Sequence, residues 1–260
     1  MRDLTYPPII LAAKASFRLL GQTIRITGDH HVPRKGGVLL AVNHVSYVDF
    51  VYGGLGANPS GRKVRFMSKR ELFDHRVTGP LMRSMHHIDV DRADGEASLT
   101  KAIEYLRAGE AVGIFPEATI SRALELKEFK TGAVRIAATA GVPVVPVIVW
   151  GTQRMMTKDH PRDFARGKTI TISVGTPLHP TGEDPTGETA ELHRVMSSML
   201  DEAIRTYPAA EQPEGCWWLP RRYGGSAPSL AEAAELDAAE KAERAAKRAS
   251  RQSGAGTSQS

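Results

Sequence analysis

A histidine and a carboxylate five residues apart are the first groups in this chain whose spacing suits chemistry. His44 and Asp49 lie in Asn43-His44-Val45-Ser46-Tyr47-Val48-Asp49-Phe50, directly after an apolar run at Val38 to Val42. Inside one helix, at about 100° per residue, the two would stand about 140° apart round the axis and would not meet. With His44 in the turn before a helix and Asp49 in its first turns, the carboxylate reaches back to an imidazole nitrogen. Such a pair holds the ring in one tautomer and stabilises its charged form, which is what a general base needs. The same spacing also suits an ordinary N-cap or surface pair, and taken alone it leaves both readings open.

A second polar group follows another apolar run: Phe115-Pro116-Glu117-Ala118-Thr119-Ile120-Ser121-Arg122 sets a carboxylate, two hydroxyls and a guanidinium where the chain turns. A third is the basic cluster Arg62, Lys63, Arg65, Lys69 and Arg70, and a fourth is Arg92, just past the short run Ile88 to Val90. Several cations at one mouth bind a phosphate monoester, because charge-assisted bonds to its oxygens are the strong kind. A solvated basic face is the plain alternative for residues 62 to 70. Other chemistries fail on spacing. Gly167-Lys168-Thr169 has Arg162 where a phosphate-binding loop needs its first glycine, Gly54 to Pro59 breaks the dinucleotide fingerprint, and no G-x-S-x-G, H-E-x-x-H or C-x-x-C occurs. Cys216 is the only cysteine, which excludes a disulfide scaffold and fits a reducing compartment.

Positioning these groups requires an alternation of short apolar runs and helical patterns from Gly37 onward, the mark of an α/β domain. Strands are expected at Val38 to Val42, Val64 to Met67, Ile88 to Val90, Ala111 to Phe115, Val142 to Val149 and Thr169 to Val174. Helices are expected at Ser46 to Leu55, through Leu99, Ile103 and Leu106 to a stop at Gly109, at Thr131 to Ala140 before Gly141, and at Glu188 to Arg205. The polar groups then fall just past strand ends, where open α/β sheets build their sites. Near the start, Pro7 to Leu20 reads as a short helix with Ile10, Ala13, Phe17 and Leu20 on one face and Lys14 and Arg18 beside it. It suits packing on the domain or lying in a bilayer interface.

The division that results is an N-terminal amphipathic helix over 1–21, an α/β domain over 22–207, a Pro/Gly/Trp-rich extension over 208–229 and a charged, Ala-rich tail over 230–260. The tail has helical propensity but almost no large apolar residue, so a frayed, solvated helix is expected, disordered from Ser250. Composition agrees with a globular protein: 260 residues, 41% hydrophobic and 24% charged, with a mean hydropathy of -0.27. The net charge of +5 belongs to residues 1–225, since residues 226–260 hold five acidic and five basic side chains. A modest positive field suits phosphate-bearing partners. The longest apolar stretch, Val142 to Trp150, is nine residues with two prolines, well under the roughly 20 a membrane-spanning helix needs. No secretory signal is visible.

In their order, these blocks resemble the lysophospholipid acyltransferase family, the 1-acylglycerol-3-phosphate acyltransferases of phospholipid synthesis. Asn43-His44 to Asp49 matches the family's N-H-x4-D block, Lys69-Arg70-Glu71-Leu72 its K-x-E-L stretch, Arg92 the arginine of its second block, Phe115-Pro116-Glu117 its F-P-E-G block and Val142 to Val147 its V-P-V-x-P block. The resemblance covers about residues 15 to 205. It implies a single α/β domain whose mostly parallel sheet is flanked by helices, and a general base, His44, that takes the proton of an acceptor hydroxyl attacking an acyl thioester. Asp49 would orient His44. Glu117, Thr119 and Arg122 would position the acceptor, Lys69 and Arg92 its phosphate, with Asn43, Ser46, Phe115 and Pro116 completing the substrate-binding set. No metal or cofactor is implied, acyl-CoA or acyl-carrier protein being a co-substrate, and neither Ser46 nor Cys216 is needed as a nucleophile. The implied partners are a lysophospholipid, an acyl thioester, a membrane surface on the cytoplasmic face and, as one donor, acyl-carrier protein. Nucleic acid is not among them: residues 62 to 70 lack interleaved aromatics beyond Phe66. The chain departs from the family at Ala118, where glycine is usual, and at Ile120, where arginine is usual. Another lyso-lipid or glycolipid acceptor, or a lipid-binding protein without activity, are the readings that those departures leave open.

Overall fold

A computed structural model describes residues 5–91 and 95–255. Among them, helix α1 (Tyr6–Leu19) leads into β1 (Thr23–Thr27), then β2 (Val38–Val42), α2 (Asp49–Gly56), β3 (Val64–Lys69), two short helices α3 (Arg70–Asp74) and α4 (Thr78–Ser84), and β4 (Ile88–Val90). The chain continues through α5 (Gly95–Arg107), β5 (Ala111–Ile114), α6 (Gly132–Ala140), β6 (Val144–Trp150), β7 (Thr169–Val174), α7 (Pro185–Arg205) and α8 (Leu230–Ala255).

The strands form one sheet in the order β1-β7-β6-β2-β5-β3-β4. From β6 through β4 all neighbours are parallel, while β7 runs antiparallel to β6 and parallel to β1. The mostly parallel, helix-flanked sheet expected from sequence is therefore what forms. Burial on both faces explains the composition of β2 and β6, every residue of which is buried. Leu39, Ala41, Ile148 and Trp150 face a core shared with Ala102 and Leu106 of α5, Ile136 of α6 and Leu192 and Met196 of α7. Val38, Leu40, Val42, Val147 and Val149 face the other core, closed by Tyr52 of α2 and Phe17 of α1. Helices stop where the glycines direct: Gly109 follows α5 at φ +84° and Gly141 follows α6 at φ +67°.

The structure adds to the sequence reading at several places. β1 and the α3–α4 pair were not foreseen. α1 is a packed element, its Phe17 stacked on Tyr52 at 5.0 Å between ring centroids, with Leu11 and Leu19 exposed. The extension 208–229 is also part of the body: Cys216, Leu219 and Ala227 join the α5–α7 core, and Trp218 donates its indole N–H to the Glu211 carbonyl at 3.1 Å. Finally, α8 is neither undocked nor broken at Ser250. It runs to Ala255, starts on a reciprocal Ser229–Glu232 capping box and buries Ala233.

Candidate active site

Because β6, β2, β5, β3 and β4 are parallel, their C-terminal ends share one edge of the sheet. β2 ends into Asn43-His44, β5 into Phe115-Pro116-Glu117 and β6 into Gly151-Thr152, so three adjacent strands deliver three polar loops to one place. His44 sits in the turn before α2, and Asp49 is the first residue of that helix. Their side chains meet, with His44 Nδ1 3.1 Å from Asp49 Oδ2. That oxygen also accepts the backbone N–H groups of Val45 at 2.7 Å and Ser46 at 2.6 Å, while Oδ1 accepts the Thr152 hydroxyl at 2.6 Å. This carboxylate is fully buried and every one of its bonds runs from a donor to its oxygens. It accepts only, so Nδ1 of His44 donates, and Nε2 is left as the nitrogen with a free electron pair. The imidazole keeps 19% of its surface exposed, enough for a substrate to reach it.

The β5 loop fixes His44 from the other side. Glu117 Oε1 accepts the His44 backbone N–H at 2.8 Å and Oε2 accepts that of Lys127 at 3.1 Å, and Ser121 donates its N–H to the His44 carbonyl at 2.8 Å. Phe115 lies flat on the imidazole, with centroids 4.1 Å apart and planes at 20°. Burial pushes the Glu117 carboxyl up to about 8, against the pull of the Lys127 and His44 N–H groups, and the nearby Asp49 charge adds to the rise.

Several residues expected to touch substrate are held by bonds within the protein. Asn43 donates to the Val149 carbonyl at 3.1 Å and accepts the Val149 N–H at 2.7 Å. Its amide thus prolongs the β2–β6 ladder and is fully buried. Ser46 is buried and donates to the Met156 carbonyl at 2.6 Å. Pro116 is buried, its carbonyl accepting the Lys130 N–H at 3.0 Å, and both oxygens of Glu117 are engaged as described. Thr119 accepts from Lys127 Nζ at 2.8 Å. Arg122 is only 9% exposed and is paired with Asp159, Asp237 and Glu240. It therefore does not stand open as a replacement for the missing arginine at 120. Ile120 itself is buried among the loop's apolar contacts.

The basic cluster of residues 62 to 70 is dispersed by its own strand. Arg62 precedes β3 and donates to the Pro33 and Gly109 carbonyls at 2.9 and 2.8 Å. Arg65 is buried, donates to the Met85 carbonyl at 3.1 Å and pairs with Glu110 at 3.3 Å. Lys69, exposed at the C-terminal end of β3, and Arg70, which follows it and pairs with Asp91 at 2.5 Å, stand on the edge that carries His44. Arg92 lies outside the described residues. Sequence reasoning missed Thr152, Lys127 and Lys158. The available signal for Thr152 was its place, two residues past the most β-branched run, after Gly151 at φ +103°.

Similarity to known proteins agrees with this geometry. The acyltransferase family pattern matches residues 23–150. A 1-acyl-sn-glycerol-3-phosphate acyltransferase of Bacillus subtilis is 32% identical over 157 residues, 60% of this chain and 74% of that protein. The chain belongs to this acyltransferase family. A probable acyltransferase of the same name from Mycoplasma pneumoniae is 30% identical over 194 residues, 67% of this chain and 71% of that protein. The crystal structure of the 1-acyl-sn-glycerophosphate acyltransferase PlsC from Thermotoga maritima matches the fold with a TM-score of 0.65 at 24% identity, covering 78% of this chain and 80% of that one.

Proposed function

We propose that this acyltransferase moves a fatty acyl group from acyl-CoA or acyl-carrier protein to the free hydroxyl of 1-acyl-sn-glycerol 3-phosphate, giving phosphatidic acid for phospholipid synthesis. The observation that carries the reading is the His44–Asp49 pair, clamped by the Glu117 loop at the C-terminal edge of the sheet. His44 Nε2 takes the proton of the acceptor hydroxyl as its oxygen bonds to the thioester carbonyl carbon. The tetrahedral centre collapses, the carbon–sulfur bond breaks, and His44 returns the proton to the departing thiolate. Asp49 balances the imidazolium formed between the two transfers, and its carboxylate is already ordered by Val45, Ser46 and Thr152. Because a thiol leaves readily, the scheme has no acyl-enzyme and no metal or cofactor.

Acceptor and product both carry acyl tails, so the site has to open toward a bilayer. Tyr47 and Phe50 beside His44, and Leu72, Val77 and Leu81 on the α3–α4 pair that follows Lys69, are exposed. Among the described residues no helix is long and apolar enough to cross a membrane. These facts support peripheral docking of the catalytic edge on the cytoplasmic leaflet.

Thiol release from palmitoyl-CoA, with and without lysophosphatidate, tests the chemistry. Removing a group that transfers protons costs about 10² to 10⁴ in rate. His44→Ala is therefore expected to lose measurable turnover with its circular dichroism unchanged, and a His44→Ala protein that kept most of its turnover would sink the mechanism. A second acceptor class is favoured by one observation: residue 120 is a buried isoleucine and Arg122 is already paired. Release that depends on His44 but is equal with lysophosphatidate and with a lyso-lipid lacking a phosphate monoester would select that reading.

A further inference from the structure

The α8 helix meets the body along one stripe. From Leu230 to Lys247 only Ala233, Asp237 and Glu240 are not exposed, a spacing of i, i+4 and i+7 that defines a single helix face. Two of these three residues are carboxylates, and both end on the same cations. Arg122 pairs with Asp237 and, at 2.9 Å, with Glu240. Lys158 pairs with them at 2.9 and 3.0 Å. Lys127 pairs with Asp237 while also bonding Thr119. Asp159, which is largely exposed, contributes the remaining carboxylate of the cluster.

The cluster adjoins the catalytic histidine through covalent neighbours. Arg122 follows Ser121, whose N–H holds the His44 carbonyl, and the Lys127 N–H shares Glu117 with the His44 N–H. With α8 in place, three cations face three carboxylates. Lifting Asp237 and Glu240 away leaves an excess of two positive charges around a forked guanidinium and two ammonium groups. A phosphate monoester brings about −1.5 to −2 charge and three acceptor oxygens at neutral pH, so it can replace the two carboxylates charge for charge.

We infer that Arg122, Lys127 and Lys158 form a phosphate-monoester site which Asp237 and Glu240 of α8 occupy as a tethered competitor, and which opens when a phosphate displaces the helix. This deepens the acyl-transfer reading and rests on it, since the ligand best placed to use the site is the acceptor's headgroup. A tethered competitor lowers the apparent affinity by the fraction of time the site is open, which for a well-formed triple contact is about tenfold or more.

The test uses the full chain with inorganic phosphate as the probe, reading hydrogen exchange over residues 230–247 and phosphate binding by calorimetry. Wild type should exchange faster over α8 when phosphate is added, and not with potassium chloride at matched ionic strength. Asp237→Asn/Glu240→Gln should exchange fast without ligand and bind phosphate about tenfold tighter, while Arg122→Gln in that background should lose the binding. Equal phosphate affinity in wild type and Asp237→Asn/Glu240→Gln, or equal opening by chloride, would overturn the inference. The lipid arm identifies the source: the double variant should lower the KM for lysophosphatidate, but not that for lysophosphatidylcholine, if the headgroup is the ligand. An unchanged KM with tighter phosphate binding would assign the site to free phosphate. His44-dependent thiol release is measured alongside, so acyl transfer can stand while this site fails.

Discussion

Ala118 carries a methyl group in a backbone conformation, φ +60°, that glycine adopts without strain. The related acyltransferases usually have glycine at this position of the F-P-E block, and Ala118 N–H closes the turn on the Phe115 carbonyl at 3.0 Å. Ala118→Gly is expected to gain about 1 kcal/mol, seen as a raised thermal midpoint, and an unchanged or lowered midpoint would show that the turn is unstrained. Glu117 gives a pH-dependent counterpart. Its carboxyl titrates at about 8 in the folded chain, against an ordinary value of 4.5, so between these two values the folded protein holds a proton that the unfolded chain has released. The stability this group supplies is therefore complete below about pH 4.5 and lost as pH rises through about 8. Glu117→Gln cannot accept both the His44 and Lys127 N–H groups and should cost about 1–3 kcal/mol. That cost should shrink between pH 5 and pH 8 in thermal melts, and a cost independent of pH would contradict the assignment. His44 and Asp49 were legible because a strand end and a short spacing sufficed to bring them together. Thr152 was not, because its partner Asp49 is set by strand order across the sheet, which no local pattern encodes, and Lys127 was not, because its charge partner Asp237 lies 110 residues away on α8. Arg62 and Arg65 misled for a similar reason: close in sequence, one precedes β3 and the other lies on it, and both are engaged, Arg62 by carbonyls and Arg65 by a carbonyl and Glu110.

The elements that support the site were readable in proportion to their burial. β2, β5, β6 and β7 announced themselves as apolar, β-branched runs, and α5 and α6 ended at the glycines that marked them. β1 alternates exposed and half-buried residues at the sheet's edge, which left Ile24 and Ile26 too weak a signal, and α3 and α4 are too short to show a period. One strand glycine matters to the catalytic ring. A Cβ on Gly113 of β5 would come 2.5 Å from the Phe66 ring, and Phe66 stacks on Phe115 at 5.6 Å, which in turn stacks on His44. Gly113→Ala should therefore cost about 1–3 kcal/mol through overpacking and lower kcat more than KM, as the push is relayed to the imidazole. Full turnover in a folded Gly113→Ala protein would show that the aromatic stack does not set the position of His44.

At the scale of the whole molecule, the tail is the helix that its composition favours, mostly exposed but docked along one stripe. Its composition does lack an apolar face, but Asp237 finds Arg122 at a separation of 115 residues, so docking by charge replaces docking by burial. The positive excess of the body is correspondingly smaller at its surface than a count of lysines and arginines implies. The proposed membrane docking would then depend on the exposed apolar rim as much as on charge, since basic residues near an anionic surface contribute only about 1 kcal/mol each. The protein is expected to float with anionic vesicles at low salt, and Val77→Asp/Leu81→Asp to remain in the bottom fraction. Flotation unaffected by that pair of substitutions would move the docking face elsewhere. The extension that anchors α8 also lays Trp217 flat on His160, with 3.6 Å between ring centroids, one residue along from the Asp159 that pairs with Arg122. An imidazole stacked on an indole draws down its light emission when protonated, so this pair gives the molecule a native, label-free optical reporter of the ring that sits beside Asp159.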